Sequence, residues 1–270
     1  MLYWLLYEQL YPNIIPFPLF RYVTFRTAFA GLTALLLSFV LGPWMIKRLR
    51  QLQIGQHIRE EGPKTHWRKA GTPTMGGVLI ITSIVVPSLL WANLRNPYLW
   101  IALFGLTSFG AIGFWDDYLK IKRRQNLGLT GRRKFLLQVL AALTVGAMLL
   151  TLHALGLYST QMNVPFFKNL KPDLLVDAWL HSPLTYPLAF IFFFAFLVFV
   201  IVGSANAVNL TDGLDGLAIG LMIISSGAMT VLTYASGHAQ FATYLDLLRL
   251  PGASELTIFC GAMTGASLGF

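Results

Sequence analysis

The sequence predicts an all-α protein, a polytopic bundle of about seven transmembrane helices forming a single integral-membrane domain over residues 1–270. Three observations predict it. Hydrophobic residues make up 56% of the chain and charged residues 11%, with a mean hydropathy of +0.63, whereas a soluble domain carries about 25% charge. The apolar residues gather into seven runs, and a bilayer crossing needs roughly 20 of them in sequence. Lys and Arg cluster beside those runs: of 20, seven lie between Lys47 and Lys69 and seven between Lys120 and Lys134.

The runs are taken in chain order. Residues 1–20 lack a basic n-region and a small-residue cleavage site, so they do not read as a cleaved leader. The first run, 27–46, leads into a basic loop at 47–73, and the second, 74–92, follows a Gly/Pro-rich turn. A short turn at 93–97 precedes the third run, 98–115, which closes on Asp116-Asp117 and a second basic loop at 116–134. The fourth run is 135–156. Segment 157–184 is too polar to span and reads as an ordered loop or short hairpin. The fifth run is 185–205, the polar stretch 206–216 follows it, and the sixth is 217–234. Segment 235–255 separates these from a seventh run at 256–270, which has 15 residues and reads as too short to cross alone. The chain therefore reads as a fragment ending near the exit of that run.

Positive-inside asymmetry places both basic loops in the cytoplasm, and 206–216 with them. Residues 1–26, 93–97, 157–184 and 235–255 are then external. The same clusters can hold anionic substrates and lipid head groups. Nucleic-acid binding would also suit the net charge of +9, but both clusters abut spans. The single cysteine, Cys260, lies in an apolar run, so no disulfide framework exists within the chain. GxxxG spacings at Gly216/Gly220 and Gly261/Gly265 permit close helix contact.

Three polar motifs converge on the cytoplasmic face. In 62–77, glycines and prolines shape a turn whose backbone N–H groups, with Lys69 and threonine hydroxyls including that of Thr74, could hold phosphate or nucleotide. A turn with ordinary anchoring basics would look the same. Asp116 and Asp117 repel each other unless a cation compensates them. Hard oxygen ligands of this kind suit Mg²⁺, and one of the pair could instead act as a base. A solvated pair ending a helix is the plainer reading. The third motif, 206–218, carries Asn209, Asp212 and Asp215, acidic and amide groups three residues apart at the rim of a span. Capping by Thr211 or Asp212 explains only one of them. Together the motifs point to Mg²⁺-assisted phosphoryl transfer at the inner membrane surface. No GxxxxGK[ST] loop is present, which argues against an ordinary ATP-driven pump.

The segments GTPTMGG at 71–77, FWDDY at 114–118, PFFK at 165–168 and NAVNLTDGLDGLA at 206–218 closely resemble those of the phospho-N-acetylmuramoyl-pentapeptide-transferase family. The resemblance implies transfer of phospho-MurNAc-pentapeptide from UDP-MurNAc-pentapeptide to undecaprenyl phosphate in the bacterial inner membrane, giving lipid I and UMP. It also implies Mg²⁺ and a homodimer in contact with membrane lipids. By the resemblance, Asp116 is the base toward the lipid phosphate and Asp117 lies beside it at the metal and diphosphate. Lys69, Thr74, Lys134, Asn209, Asp212 and Asp215 correspond to substrate-binding positions. Family members have ten spans, a further metal-binding aspartate and a histidine-rich loop, which are expected beyond Phe270, so residues 1–270 alone are expected to be inactive. The alternatives are a related polyprenyl-phosphate GlcNAc-1-phosphate transferase, or a transporter or scaffold. A transporter predicts polar residues lining a path through the spans, and the sequence shows few.

Overall fold

The protein is described by a computed structural model covering residues 1–9, 17–51, 76–123, 128–164, 167, 170–175, 185–211 and 216–270. Among these residues the architecture is helical, with one isolated antiparallel bridge between Gln161 and Asp173. The principal helices are α1 (Val23–Gln51), α2 (Gly77–Trp91), α3 (Pro97–Arg123), α4 (Gly131–Ala154), α5 (Tyr186–Thr211), α6 (Leu217–Gly237), a short α7 (Ala239–Tyr244) and α8 (Leu256–Gly269).

All seven apolar runs form helices, and five are long and apolar enough to cross a membrane: α1, α3, α4, α5 and α6. The two others counted as spans from sequence are shorter, 15 residues in α2 and 14 in α8. At 1.5 Å per residue they reach only about 21–23 Å, less than the hydrocarbon thickness of about 30 Å. α8 packs against α1, α2 and α6, and its Ile258, Ala262 and Ala266 are fully buried. Neighbouring helices, rather than lipid, cover most of it.

Small residues make that central position possible. Gly261, Gly265 and Gly269 lie at four-residue intervals on α8 and face α1. A Cβ at Gly265 would collide with the Gly31 carbonyl, and one at Gly261 would sit 2.6 Å from the Thr27 methyl. Ser38 on α1 donates to the Ala266 carbonyl at 3.2 Å. In lipid, where apolar burial does not favour one helix over its surroundings, close backbone approach supplies the packing contacts.

The helices also run past the boundaries drawn from hydropathy. α1 continues to Gln51, α3 to Arg123 and α5 to Thr211, while α4 begins at Gly131. Polar residues can continue a helix once it leaves the membrane. α3 starts with Pro97, suited to a first turn, and the Asn96 side chain caps it by accepting from the Tyr98 N–H at 2.9 Å. It ends with Lys120, Lys122 and Arg123 on the negative end of its dipole.

One end of the bundle is closed by polar ties. Arg26 forms a buried bidentate pair with Glu255 at 2.7 and 2.9 Å, and the Asn93 N–H donates to Glu255 at 3.0 Å. Tyr98 donates to the Leu157 carbonyl and Asn96 to that of Gly252. Residues 157–164 meet residues 170–175 there through Met162 N–H to Pro172 and Leu174 N–H to Thr160. The opposite end holds the termini of α3 and α5 and the starts of α4 and α6, where Asp116, Asp117 and Asn209 fall.

Candidate active site

About 20 helical residues span the hydrocarbon core, and α3 needs that many from Pro97 to reach Asp116. The acidic pair thus stands at the rim, carried by the two turns of α3 that project beyond it. Lys120 lies one turn further on. Its ammonium is 2.7 Å from Asp116 Oδ2 and 3.1 Å from Asp117 Oδ1. The other oxygen of Asp116 accepts the Leu129 N–H at 2.7 Å. Gly128 and Leu129, just before α4, therefore lie against Asp116. Gly128 makes that approach possible, because a Cβ there would overlap Asp116 Oδ1.

These contacts distinguish the two carboxylates. Asp116 has both oxygens engaged and its side chain is 13% exposed, whereas Asp117 is 34% exposed. Among the described residues Asp117 Oδ2 remains open. The pair already converges on one cationic group, the Lys120 ammonium, so its donor set fits a cation. A Mg²⁺ ion is commonly held by one or two carboxylates together with substrate phosphates, and Asp117 with its open oxygen would be the protein ligand. No cluster of three or more metal-ligating side chains occurs among the described residues, so such an ion would rely on substrate oxygens or further ligands.

Lys134, in the first turn of α4, lies within Coulombic reach of Asp116. Asn209 is exposed near the end of α5. One turn deeper, the Asn206 amide donates to Gln138 Oε1 at 2.9 Å and ties α5 to α4. The structure thus gathers Asp116, Asp117, Lys134 and Asn209 at one end of the bundle. Lys69, Thr74, Asp212 and Asp215 lie outside the described residues. Gly216, just after the last of these, has φ +81° and starts α6 in the left-handed region, which favours glycine.

Sequence reasoning missed Lys120, which was counted only as one of the topology-setting basics. Its spacing was the available signal, because Lys at i+4 from Asp116 and i+3 from Asp117 shares their helix face. It also missed Gly128 and Gln138, whose roles depend on chain segments meeting in space.

The two described histidines stand apart from this face. His153, at the last turn of α4, has its ring nitrogen Nδ1 3.0 Å from the Tyr158 carbonyl, and His238 separates α6 from α7. Both belong to the opposite end of the bundle.

Comparison with known proteins fits this geometry. The profile of glycosyl transferase family 4 matches residues 99–270, and phospho-N-acetylmuramoyl-pentapeptide-transferase signature 1 matches residues 69–81. The phospho-N-acetylmuramoyl-pentapeptide-transferase of Solibacter usitatus is 61% identical over the whole chain, which covers 71% of that relative. Those of Koribacter versatilis and Acidobacterium capsulatum are 58% and 59% identical, again over the whole chain, and 72% of each is covered. The first family match includes α3, α4 and the α5 terminus, and the second includes the start of α2. This integral membrane chain, with its acidic pair at a helix rim, belongs to the phospho-N-acetylmuramoyl-pentapeptide-transferase family within glycosyl transferase family 4.

Proposed function

We propose that the enzyme to which this chain contributes residues 1–270 transfers phospho-N-acetylmuramoyl-pentapeptide from UDP-MurNAc-pentapeptide to undecaprenyl phosphate, giving lipid I and UMP for peptidoglycan synthesis, and that these residues alone are inactive. An oxygen of the lipid phosphate attacks the sugar-bearing phosphorus, a P–O bond forms there, and the P–O bond to UMP breaks. The observation that carries the reading is Asp116-Asp117 bridged by Lys120 at the membrane rim. There, a lipid head group and a soluble nucleotide can meet.

Asp116 is the proposed base toward the lipid phosphate. Its Oδ2 is engaged by Lys120, so it is freed when that ammonium turns to an incoming diphosphate. Lys120 then serves two groups in succession, Asp116 before binding and phosphate after it. The Leu129 N–H holds the other oxygen and fixes the carboxylate's direction. Asp117 is the proposed Mg²⁺ ligand, and the ion, when bound, neutralises diphosphate charge. Lys134, Asn209, Lys69, Thr74, Asp212 and Asp215 are proposed substrate contacts. The reading also places this face in the cytoplasm of a bacterial inner membrane, with the enzyme as a homodimer and no nucleic-acid partner.

A related enzyme that transfers GlcNAc-1-phosphate would share the carboxylate pair. The signature over 69–81 and the three named relatives favour the muramoyl substrate. UMP release with undecaprenyl phosphate is measured separately from UDP-MurNAc-pentapeptide and UDP-GlcNAc. Release from the first alone is expected. Release from UDP-GlcNAc alone transfers the assignment to the related enzyme.

A further inference from the structure

Gln138 is buried in α4, 4% exposed, one turn inward of Lys134. Asn206 lies one turn inward of Asn209 on α5. The Asn206 Nδ2 group donates to two acceptors, Gln138 Oε1 at 2.9 Å and the Val202 carbonyl at 2.8 Å. A backbone carbonyl can only accept, so the second bond fixes which end of the Asn206 amide is nitrogen. That in turn requires oxygen at the facing end of Gln138. The pairing is consequently oriented rather than a free choice between two amide flips.

Among the described residues this is the one side-chain hydrogen bond between α4 and α5. Elsewhere their seam is apolar and close: a Cβ at Gly146 would lie 2.8 Å from the Phe194 ring. The tight apolar contact sets the helix separation deep in the bundle. The amide pair sets it near the site face.

We propose that Gln138 is a positioning residue of the transferase site. Through Asn206 it sets the spacing between Lys134 on α4 and Asn209 on α5, and hence the width of the substrate cleft. The inference rests on the transferase reading above, since those two residues are substrate contacts only under it. A buried amide pair in an apolar seam suits this role. Separating the helices leaves polar groups unpaired in a low-dielectric surrounding, so the spacing resists drift. Misplacement of about 1 Å in a reacting site costs up to about 100-fold in rate.

The test compares Gln138→Leu, Asn206→Leu, the double variant and Gln138→Glu in the purified enzyme. Gln138→Glu keeps an oxygen acceptor for Asn206 and is expected to stay within about threefold of parental kcat/KM. Gln138→Leu should lose at least about tenfold, chiefly as a raised KM for the UDP sugar. The double variant should lose no more than either single change, because all remove the same bond. Parental kinetics in Gln138→Leu, a loss in Gln138→Glu equal to that in Gln138→Leu, or multiplicative losses in the double variant would each overturn the proposal. A second readout is independent of the reaction. Spin labels at Arg133→Cys and Leu210→Cys, both exposed, report the α4–α5 separation, while the native Cys260 is buried. The distance distribution should shift or broaden in Gln138→Leu and stay parental in Gln138→Glu. An unchanged distribution in Gln138→Leu overturns the inference. An unreactive parent with a shifted distribution instead assigns the failure to the transferase reading.

Discussion

Lys120 stands between two carboxylates, within 2.7 Å of one and 3.1 Å of the other, and this divides the work at the site. Asp116 is held in place by a cation on one side and a backbone N–H on the other, while Asp117 keeps one oxygen open among the described residues. Replacing Asp116 with Asn keeps the shape and removes the proposed base. Turnover should fall by about 100-fold or more, the usual share of general acid–base catalysis, measured as UMP release at saturating substrates. Gly128→Ala places a methyl group against Asp116 Oδ1. It should lower kcat at least about tenfold while the folded yield in detergent stays near parental, since only the α3–α4 connection must shift. The acidic pair stood out in the sequence because charge at a span's edge is conspicuous, whereas Lys134 was singled out by the family resemblance. Lys120 was hidden among topology-setting basics, and Gly128 was silent because its value lies in an absent Cβ.

α8 packs among α1, α2 and α6. The repeat Gly261-Gly265-Gly269 was visible as spacing, but its partner, Gly31 with its surroundings on α1, is set by tertiary packing. A Gly265→Val change forces α8 away from the Gly31 carbonyl. Overpacking of this kind costs about 1–3 kcal/mol, so the melting temperature in detergent should fall by several degrees, and an unaltered melt would contradict the packing described. At the opposite end of the same helix, Glu255 is paired with Arg26 in a buried, bidentate contact. Arg26→Leu leaves that carboxylate buried without its cation, and breaking such a pair costs about 3–5 kcal/mol. Thermal unfolding should register this as a larger loss than Gly265→Val. Neither partner stood out in the sequence, because 229 residues separate them.

Among the described residues, alternating helices collect Asp116, Asp117, Lys134 and Asn209 at one end and the Arg26–Glu255 ties at the other. That separation was legible from the order of spans and basic loops. The order assigns each loop to a side without requiring accurate helix ends. The helix ends were less legible, since α1, α3 and α5 carry polar residues onward as helix after the apolar run stops. At this scale the proposed metal makes its own prediction. Chelation by EDTA should abolish transfer and added Mg²⁺ should restore it, whereas undiminished turnover in EDTA would remove Asp117 from the role of metal ligand.

The central claim is that the face joining α3, α4 and α5 transfers a sugar phosphate between a nucleotide and a lipid. It is tested most directly by labelled UDP-MurNAc-pentapeptide supplied with undecaprenyl phosphate and Mg²⁺ to the purified full-length parental enzyme and its Asp116→Asn variant. The parental enzyme should place the label in a lipid-extractable product with equimolar UMP, and the variant should form at least about 100-fold less. Equal product from both, or no labelled lipid from the parental enzyme, would contradict it.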